Sequence, residues 1–340
     1  MKKYLLLIPL SLASAFLLTA CGSDADDVTP NTPDTAERTP IYLSAALASP
    51  NAVTRGTADL QTTEFVKDYG YGVGVYIYRK GQTAAANPDS YGYTNLQYAV
   101  RGTTGDLTLA TGTSQPYYSA QNTSVDVYAY APFQGTSGAG TSFADQAVQT
   151  DQSTDAGYLQ SDYVSGKANF AYNANPATKH EVTLNHRLSR IKVILKAGNG
   201  VTDADLQGAV ISLLNVKNKF TFNPLTTTAA DAATMASDAA TATIKTGTTL
   251  AAGTSADGTL CTYAIIPPQT IASGTEFIQI VLSSANKTAT YKMKLAADAT
   301  FAAGNEYTYT ITVDATAISF TTSIAAWGST TAQNGTAVLQ

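Results

Sequence analysis

The sequence predicts an all-β protein built as two antiparallel β-sandwich domains, and three observations lead there. Beyond residue 40, apolar and polar residues alternate with a period of two in run after run. That is the pattern of strands with one face in and one face wet, and sheets with a wet face are antiparallel. The stretches between the runs are rich in Gly, Asn, Asp, Ser and Thr, which form turns. Behind an N-terminal leader about 300 residues remain, against roughly 100–150 for one sandwich, so two domains are expected.

The leader comes first. Lys2 and Lys3 precede an uncharged apolar stretch over residues 4–18, which ends in Leu18-Thr19-Ala20-Cys21. This order is that of a bacterial secretory signal peptide, residues 1–20, and the run is short for a spanning helix, which needs about 20 residues. Leu-Thr-Ala-Cys looks like a lipobox, which makes Cys21 the expected lipidation site. A diacyl group buries several tens of CH₂ groups at about 0.8 kcal/mol each and anchors a chain almost irreversibly. Residues 21–40 read as a flexible tether of Asp, Thr and Pro without periodicity. Within it, Asp34-Thr35-Ala36 resembles a short O-glycosylation sequon at Thr35, with a plain solvated linker as the alternative.

The strands follow. Residues 41–47 place Ile41, Leu43, Ala45 and Leu47 on one face. Residues 71–78 place Val73, Val75 and Ile77 opposite Tyr76 and Tyr78, and residues 125–130 set Val125, Val127 and Ala129 against Asp126, Tyr128 and Tyr130. Further alternating or apolar runs cover 181–184, 191–196, 209–216, 219–222, 262–266, 277–282, 291–295, 307–313 and 318–324. Residues 134–157 read as a polar surface loop. Helix is expected only near 203–206 and in the alanine-rich stretch 229–242. A boundary near 185–189 divides the chain into an N-terminal sandwich, 41–186, and a C-terminal one, 187–340.

The chemistry-bearing residues are few. The net charge of −5 is the wrong sign for a nucleic-acid-binding face. His180 and His186 stand six apart without the cluster of three or four ligands that zinc needs, so no metal or other cofactor is expected. The glycine-rich run 70–74 leads into a strand, not a helix, and cannot aim a helix N-terminus at phosphate. There is no Gly-x-Ser-x-Gly elbow and no dinucleotide fingerprint, and the acidic residues lie mostly in loops, so the chain is not expected to be an enzyme. Cys261, within an apolar run, reads as a buried strand thiol. The 20 tyrosines fall largely on alternating strands, where packing accounts for them.

Several stretches taken together resemble the fimbrillin family of Bacteroidetes surface lipoproteins. They are Leu18–Cys21, Thr54-Arg55-Gly56, Tyr71-Gly72-Val73-Gly74-Val75-Tyr76, Val127-Tyr128-Ala129-Tyr130-Ala131-Pro132-Phe133, Ser161-Asp162-Tyr163-Val164, His186-Arg187-Leu188-Ser189-Arg190-Ile191 and Ile324-Ala325-Ala326-Trp327-Gly328. The acidic residues 22–27 resemble the tag that follows the lipidated cysteine in such proteins. The resemblance implies two tandem transthyretin-like sandwiches, export as an outer-membrane lipoprotein to the cell surface, and incorporation into a fimbrium. It implies that an arginine-specific protease removes the N-terminal strand and that a strand from another subunit replaces it. On this sequence the cut falls after Arg55, with Arg38 as the rival. The removed strand is the one carrying Ile41, Leu43, Ala45 and Leu47. The donor is expected within 317–340, a segment read as lying beyond the last regular hairpin and carrying Ile318, Phe320, Ile324 and Trp327. The expected partners are other pilus subunits, the outer membrane through the lipid, the protease, and a host or bacterial surface ligand. The alternatives to a structural subunit are a tip or anchor adhesin of the same pilus family and a surface glycan-binding lipoprotein.

Overall fold

The structure, a computed structural model, describes residues 38–48, 70–82, 91–101, 105–136, 138, 140–175, 177–246, 260–327 and 333–335. In chain order the first eight strands are β1 (Tyr42–Leu47), β2 (Val73–Arg79), β3 (Tyr93–Arg101), β4 (Asp106–Leu109), β5 (Val125–Ala131), β6 (Phe143–Ala147), β7 (Val164–Phe170) and β8 (Lys179–His186), with helix α1 (Asp155–Ser161) between β6 and β7. All of these strands except β6 form one closed sheet in the order β1-β4-β3-β2-β5-β7-β8. Its interior is apolar. Val73, Val75 and Ile77 from β2 meet Val125, Val127 and Ala129 from β5, and Val182 and Leu184 from β8 close the far side.

The remaining strands are β9 (Ser189–Ala197), β10 (Val210–Lys217), β11 (Lys219–Phe222), β12 (Ala233–Met235), β13 (Thr241–Lys245), β14 (Cys261–Ile266), β15 (Gln269–Ile271), β16 (Glu276–Ser283), β17 (Thr288–Lys294), β18 (Ala299–Phe301), β19 (Asn305–Val313), β20 (Ile318–Ala326) and β21 (Gln333–Gly335), with short helices α2 (Asp203–Leu206) and α3 (Ala229–Ala232). A four-stranded sheet, β13-β10-β16-β17, and a five-stranded sheet, β14-β9-β19-β20-β21, bury their inner faces in one shared core. Ile211, Leu213, Ile278 and Met293 come from the first, and Ile191, Val193, Ile311 and Val313 from the second. A two-stranded ribbon, β15-β18, lies beside them.

The all-β reading holds, with two differences in detail. The tyrosine faces of β2 and β5 are not wet: both strands are buried along nearly their whole length on both faces. The cover is the three-stranded sheet β12-β11-β6. Tyr130 lies 5.6 Å from Phe143 of β6 and 5.7 Å from Phe222 of β11, centroid to centroid. This also corrects the reading of 134–157 as a surface loop. Polar composition hid a strand and the start of a helix there: β6 pairs with β11, and Gln152 is buried, accepting from Ile265 N–H at 2.7 Å and donating to Ile265 O at 2.8 Å. Helix α1 is closed at its start by Thr154, whose hydroxyl accepts from Gly157 N–H.

The second difference is that two pairings are parallel, β1 with β8 and β19 with β9. Parallel neighbours need a long crossover, which local alternation cannot reveal. The stretch 229–242 is helical only over α3. Its continuation, β12, carries the β-branched Thr234 and pairs with β11 instead.

Candidate functional site

β1 carries Leu43, Ala45 and Leu47 of the apolar row, with Ile41 just ahead of it. It lies between β8, which it pairs in parallel over six registers from Tyr42↔Lys179 to Leu47↔Leu184, and β4, which it meets at one register, Ser44↔Asp106. One more bond on the β4 side runs from Ala45 N–H to Gly105 O at 2.9 Å. Gly105 has φ +69°, and a Cβ there would collide with Ala45 O, so only glycine lets the two backbones approach so closely. Before the strand, Ile41 N–H donates to Pro116 O at 2.9 Å and Gln115 donates to Ile41 O at 3.0 Å. After it, Ala48 N–H donates to Leu184 O at 2.7 Å.

Alternation sets what β1 buries. Ile41, Leu43 and Ala45 are each 1% exposed and Leu47 is buried too, all within the closed sheet's core, whereas Tyr42 on the opposite face is 41% exposed. Burial of each large apolar side chain is worth about 1.5–3 kcal/mol. Over the outer face, Lys179 of β8 pairs with Asp106 of β4.

The other residues singled out by sequence fall as follows. Cys21, Thr35 and Arg55 lie outside the described residues. Arg38 is exposed, just ahead of β1. Phe320 and Trp327 are buried, while Ile324 is 44% exposed. Ile318 is half-buried against the core. Residues 317–340 are not wholly beyond the last hairpin: β20 is the second arm of that hairpin, paired with β19 from Asn305↔Ala326 to Val313↔Ile318 and covered at its other edge by β21. The turn that reverses the chain is closed by Asp314 N–H donating to Ala317 O at 2.9 Å. Its residues, Asp-Ala-Thr-Ala, carry no Gly or Pro to mark it. Cys261 is free but only half-buried, with its sulfur 3.7 Å from the Tyr263 hydroxyl. His180 packs 4.5 Å from Phe170, ring to ring, and burial holds its pKa below the ordinary value.

A second cluster, drawn from separate stretches of the chain, sits where β1 ends. His186 Nδ1 donates to Asp162 Oδ1 at 2.8 Å, and its ring stacks on Trp327 at 3.7 Å with 7° between planes. The Arg190 guanidinium lies 5.1 Å from the same indole and pairs with Glu306 at 2.6 Å. Arg187, 4% exposed, donates through Nε to Ser165 Oγ at 2.8 Å and through Nη2 to Ser165 O at 2.9 Å, and burial pulls its pKa down. Beside them opens a cavity of about 430 Å³, whose walls include Ala48, Asn185, Arg187, Thr227, Gly304 and Trp327. The sequence signal was present, since His186-Arg187 and Trp327 both belong to the stretches that carry the resemblance, but spacing alone could not bring them together. Among the described residues no group of three or more His, Cys, Asp or Glu is placed to hold a metal.

A family model described as fimbrillin-like matches residues 54–327. The chain belongs to the fimbrillin-like family. The match ends at Trp327, the residue that closes the second cluster, and begins after β1. Among curated relatives, this fimbrillin-like chain is 26% identical over 330 residues to a proposed fimbrium subunit, Fim1C, of Bacteroides uniformis, covering 96% of each. Among solved structures it is similar in fold to a proposed cell adhesion protein from Bacteroides uniformis, with a TM-score of 0.59 and 20% identity over 87% of this chain and 99% of that one. A second, from Bacteroides ovatus, gives a TM-score of 0.60 and 19% identity over 85% and 98%.

Proposed function

We propose that this fimbrillin-like chain is a structural subunit of a cell-surface pilus. In this reading it is exported as an outer-membrane lipoprotein on Cys21, cut after Arg55 by an arginine-specific protease, and assembled by replacing β1 with a strand from another subunit. The curated relative named as a fimbrium subunit supports the class of function. The observation that carries the assembly step is the seat of β1: its apolar side chains fill the closed sheet's core, yet among the described residues only β8 pairs with it along its length. Losing β1 would expose unpaired N–H and C=O groups on β8 and an apolar slot beside them. A donated strand restores both, and head-to-tail donation does not close on itself, so it grows a filament.

The donor is drawn from 317–340. Because β20 is held along its whole length by β19, the part of that segment after Trp327 is the part assigned to exchange. The segment carrying Arg55 follows β1, so a cut there frees the strand, whereas a cut after Arg38 leaves it in place.

The test is to treat the purified full chain with an arginine-specific protease. A released fragment ending at Arg55, followed by end-to-end polymers, is expected. Arg55→Ala should abolish both, and deleting residues 328–340 should leave a folded, cleavable monomer. Normal filaments from either variant would sink the corresponding half of the proposal. Cys21→Ala should leave unprocessed precursor, and surface delivery of that variant would remove the lipid step.

A further inference from the structure

We propose that the cavity at the exit of β1 is a binding site for a small hydroxylated carboxylate, a uronic acid being representative of the class. Its polar groups all lie outside the segment that strand exchange would remove, and among the described wall residues Ala48 alone lies within it.

Arg187 carries a charge that no side chain among the described residues neutralises. Arg187 is 4% exposed, and a guanidinium stays ionised even there. Buried cations are ordinarily paired. Arg187 pairs with no carboxylate among the described residues: its bonds go to Ser165 and to Thr227 O. The nearby acids are engaged elsewhere, Asp162 with His186 and Glu306 with Arg190. Among the described residues no Asp or Glu lines the cavity. One arm of the guanidinium is weakly held as well. Nη1 reaches Thr227 O only at 3.5 Å, at the outer limit for a hydrogen bond, and both Arg187 and Thr227 line the cavity.

The remaining walls define the rest of the ligand. His186 commits Nδ1 to Asp162, which leaves Nε2 without a partner among the described residues. Asn185 and Thr227 are exposed polar side chains at the margin, suited to hydroxyl groups. Alanines and Gly304 make up most of what is left, which is why the space is open. Its volume, about 430 Å³, falls in the ordinary range of small-molecule pockets, which also combine apolar walls with a few placed polar groups. A carboxylate would receive a charge-assisted bond from Arg187, the strongest single contact these walls provide.

Trp327 is the chain's single tryptophan and stands in the wall, so its emission reports on the site directly. The test is a fluorescence titration of the purified full chain with D-glucuronate, with glucose and sulfate as controls. A saturable emission change with glucuronate and none with glucose is expected. Arg187→Met should weaken the response at least about tenfold, equivalent to about 1.4 kcal/mol. Ala229→Leu narrows the cavity from a half-buried wall position without touching Arg187, and should weaken binding on its own. That variant decides the matter if Arg187→Met does not fold. No saturable change with glucuronate, or an equal response to glucose, would overturn the proposal. Sulfate binding as tight as glucuronate would reduce the site to a general anion trap and overturn the carboxylate assignment. Binding that survives undiminished in the folded variants would place the ligand elsewhere.

Discussion

Lys179 at the start of β8 donates to Asp106 at the start of β4, and the two side chains meet across the outer face of β1. Tyr42 is in register with Lys179 and Ser44 with Asp106, so the ion pair spans the strand between these two positions. Apolar side chains hold β1 from within, and this bridge holds it from without.

Removing the bridge should loosen β1 selectively. Both partners are partly exposed, so Lys179→Ala or Asp106→Ala should cost at most about 1 kcal/mol of global stability. Hydrogen exchange at Ala45 and Ala48, whose N–H groups donate to Gly105 O and Leu184 O, should nevertheless speed up relative to β2 and β5. Uniform acceleration across the closed sheet would show that the pair has no local role.

The inner side of β1 should matter far more. Leu43 is 1% exposed, and Leu43→Ala should destabilise the intact chain by about 2–5 kcal/mol in denaturant unfolding. Tyr42→Ala, on the exposed face, should cost much less. Equal effects from the two would contradict the burial pattern of the strand.

Tyr130 joins the closed sheet to the segment that covers it. Its hydroxyl donates to Asn95 Oδ1 at 2.7 Å and accepts from Gln134 N–H at 3.1 Å, while Asn95 Nδ2 donates to Gln134 O and Thr136 O. Burial raises the pKa of this phenol well above the ordinary tyrosine value. Tyr130→Phe keeps the ring but strands the Asn95 oxygen, and a loss of about 1–3 kcal/mol is expected in thermal or urea unfolding. A neutral substitution would mean that water takes the place of the hydroxyl.

Asp126 should shape the acid limb of stability. Burial pushes its pKa up, but Gly81 N–H, Lys167 and Asn169 together outweigh that and hold it below 3.8. The unfolded chain therefore takes up this proton first as pH falls. The stabilisation is complete above the unfolded value and is lost as pH drops through the folded one. Urea midpoints measured from pH 5 to about pH 2 should fall less steeply in Asp126→Asn than in the parent. Parallel curves would exclude the carboxylate as a contributor.

Period-two alternation located most strands, because it reports which side chains leave water whatever the partner strand is. It could not tell a wet face from one covered by a distant segment. Tyr76, Tyr78, Tyr128 and Tyr130 do stand on the second face of their strands, yet that face is roofed by β6 and β11, which are separated by about seventy residues. β6 itself, Phe-Ala-Asp-Gln-Ala, alternates too weakly to stand out from the polar sequence around it. Among site residues, the inward row of β1 was readable because four apolar side chains at a spacing of two need a core. The meeting of His186, Asp162 and Trp327 was not, because nothing local to any of them encodes contact with residues 24 positions away, as for Asp162 and His186, or more than a hundred away, as for Trp327.

The parallel pairing of β1 with β8 has a mechanical side. A pull on the chain at its Arg38 end, directed along the strand, strains all the bonds of the six β1–β8 registers at once instead of opening them one by one. Resistance in that shear geometry is set by the barrier to rupturing the whole ladder, a rate and not an equilibrium. Drag applied to the chain ahead of β1 would therefore leave β1 seated until the whole ladder ruptures.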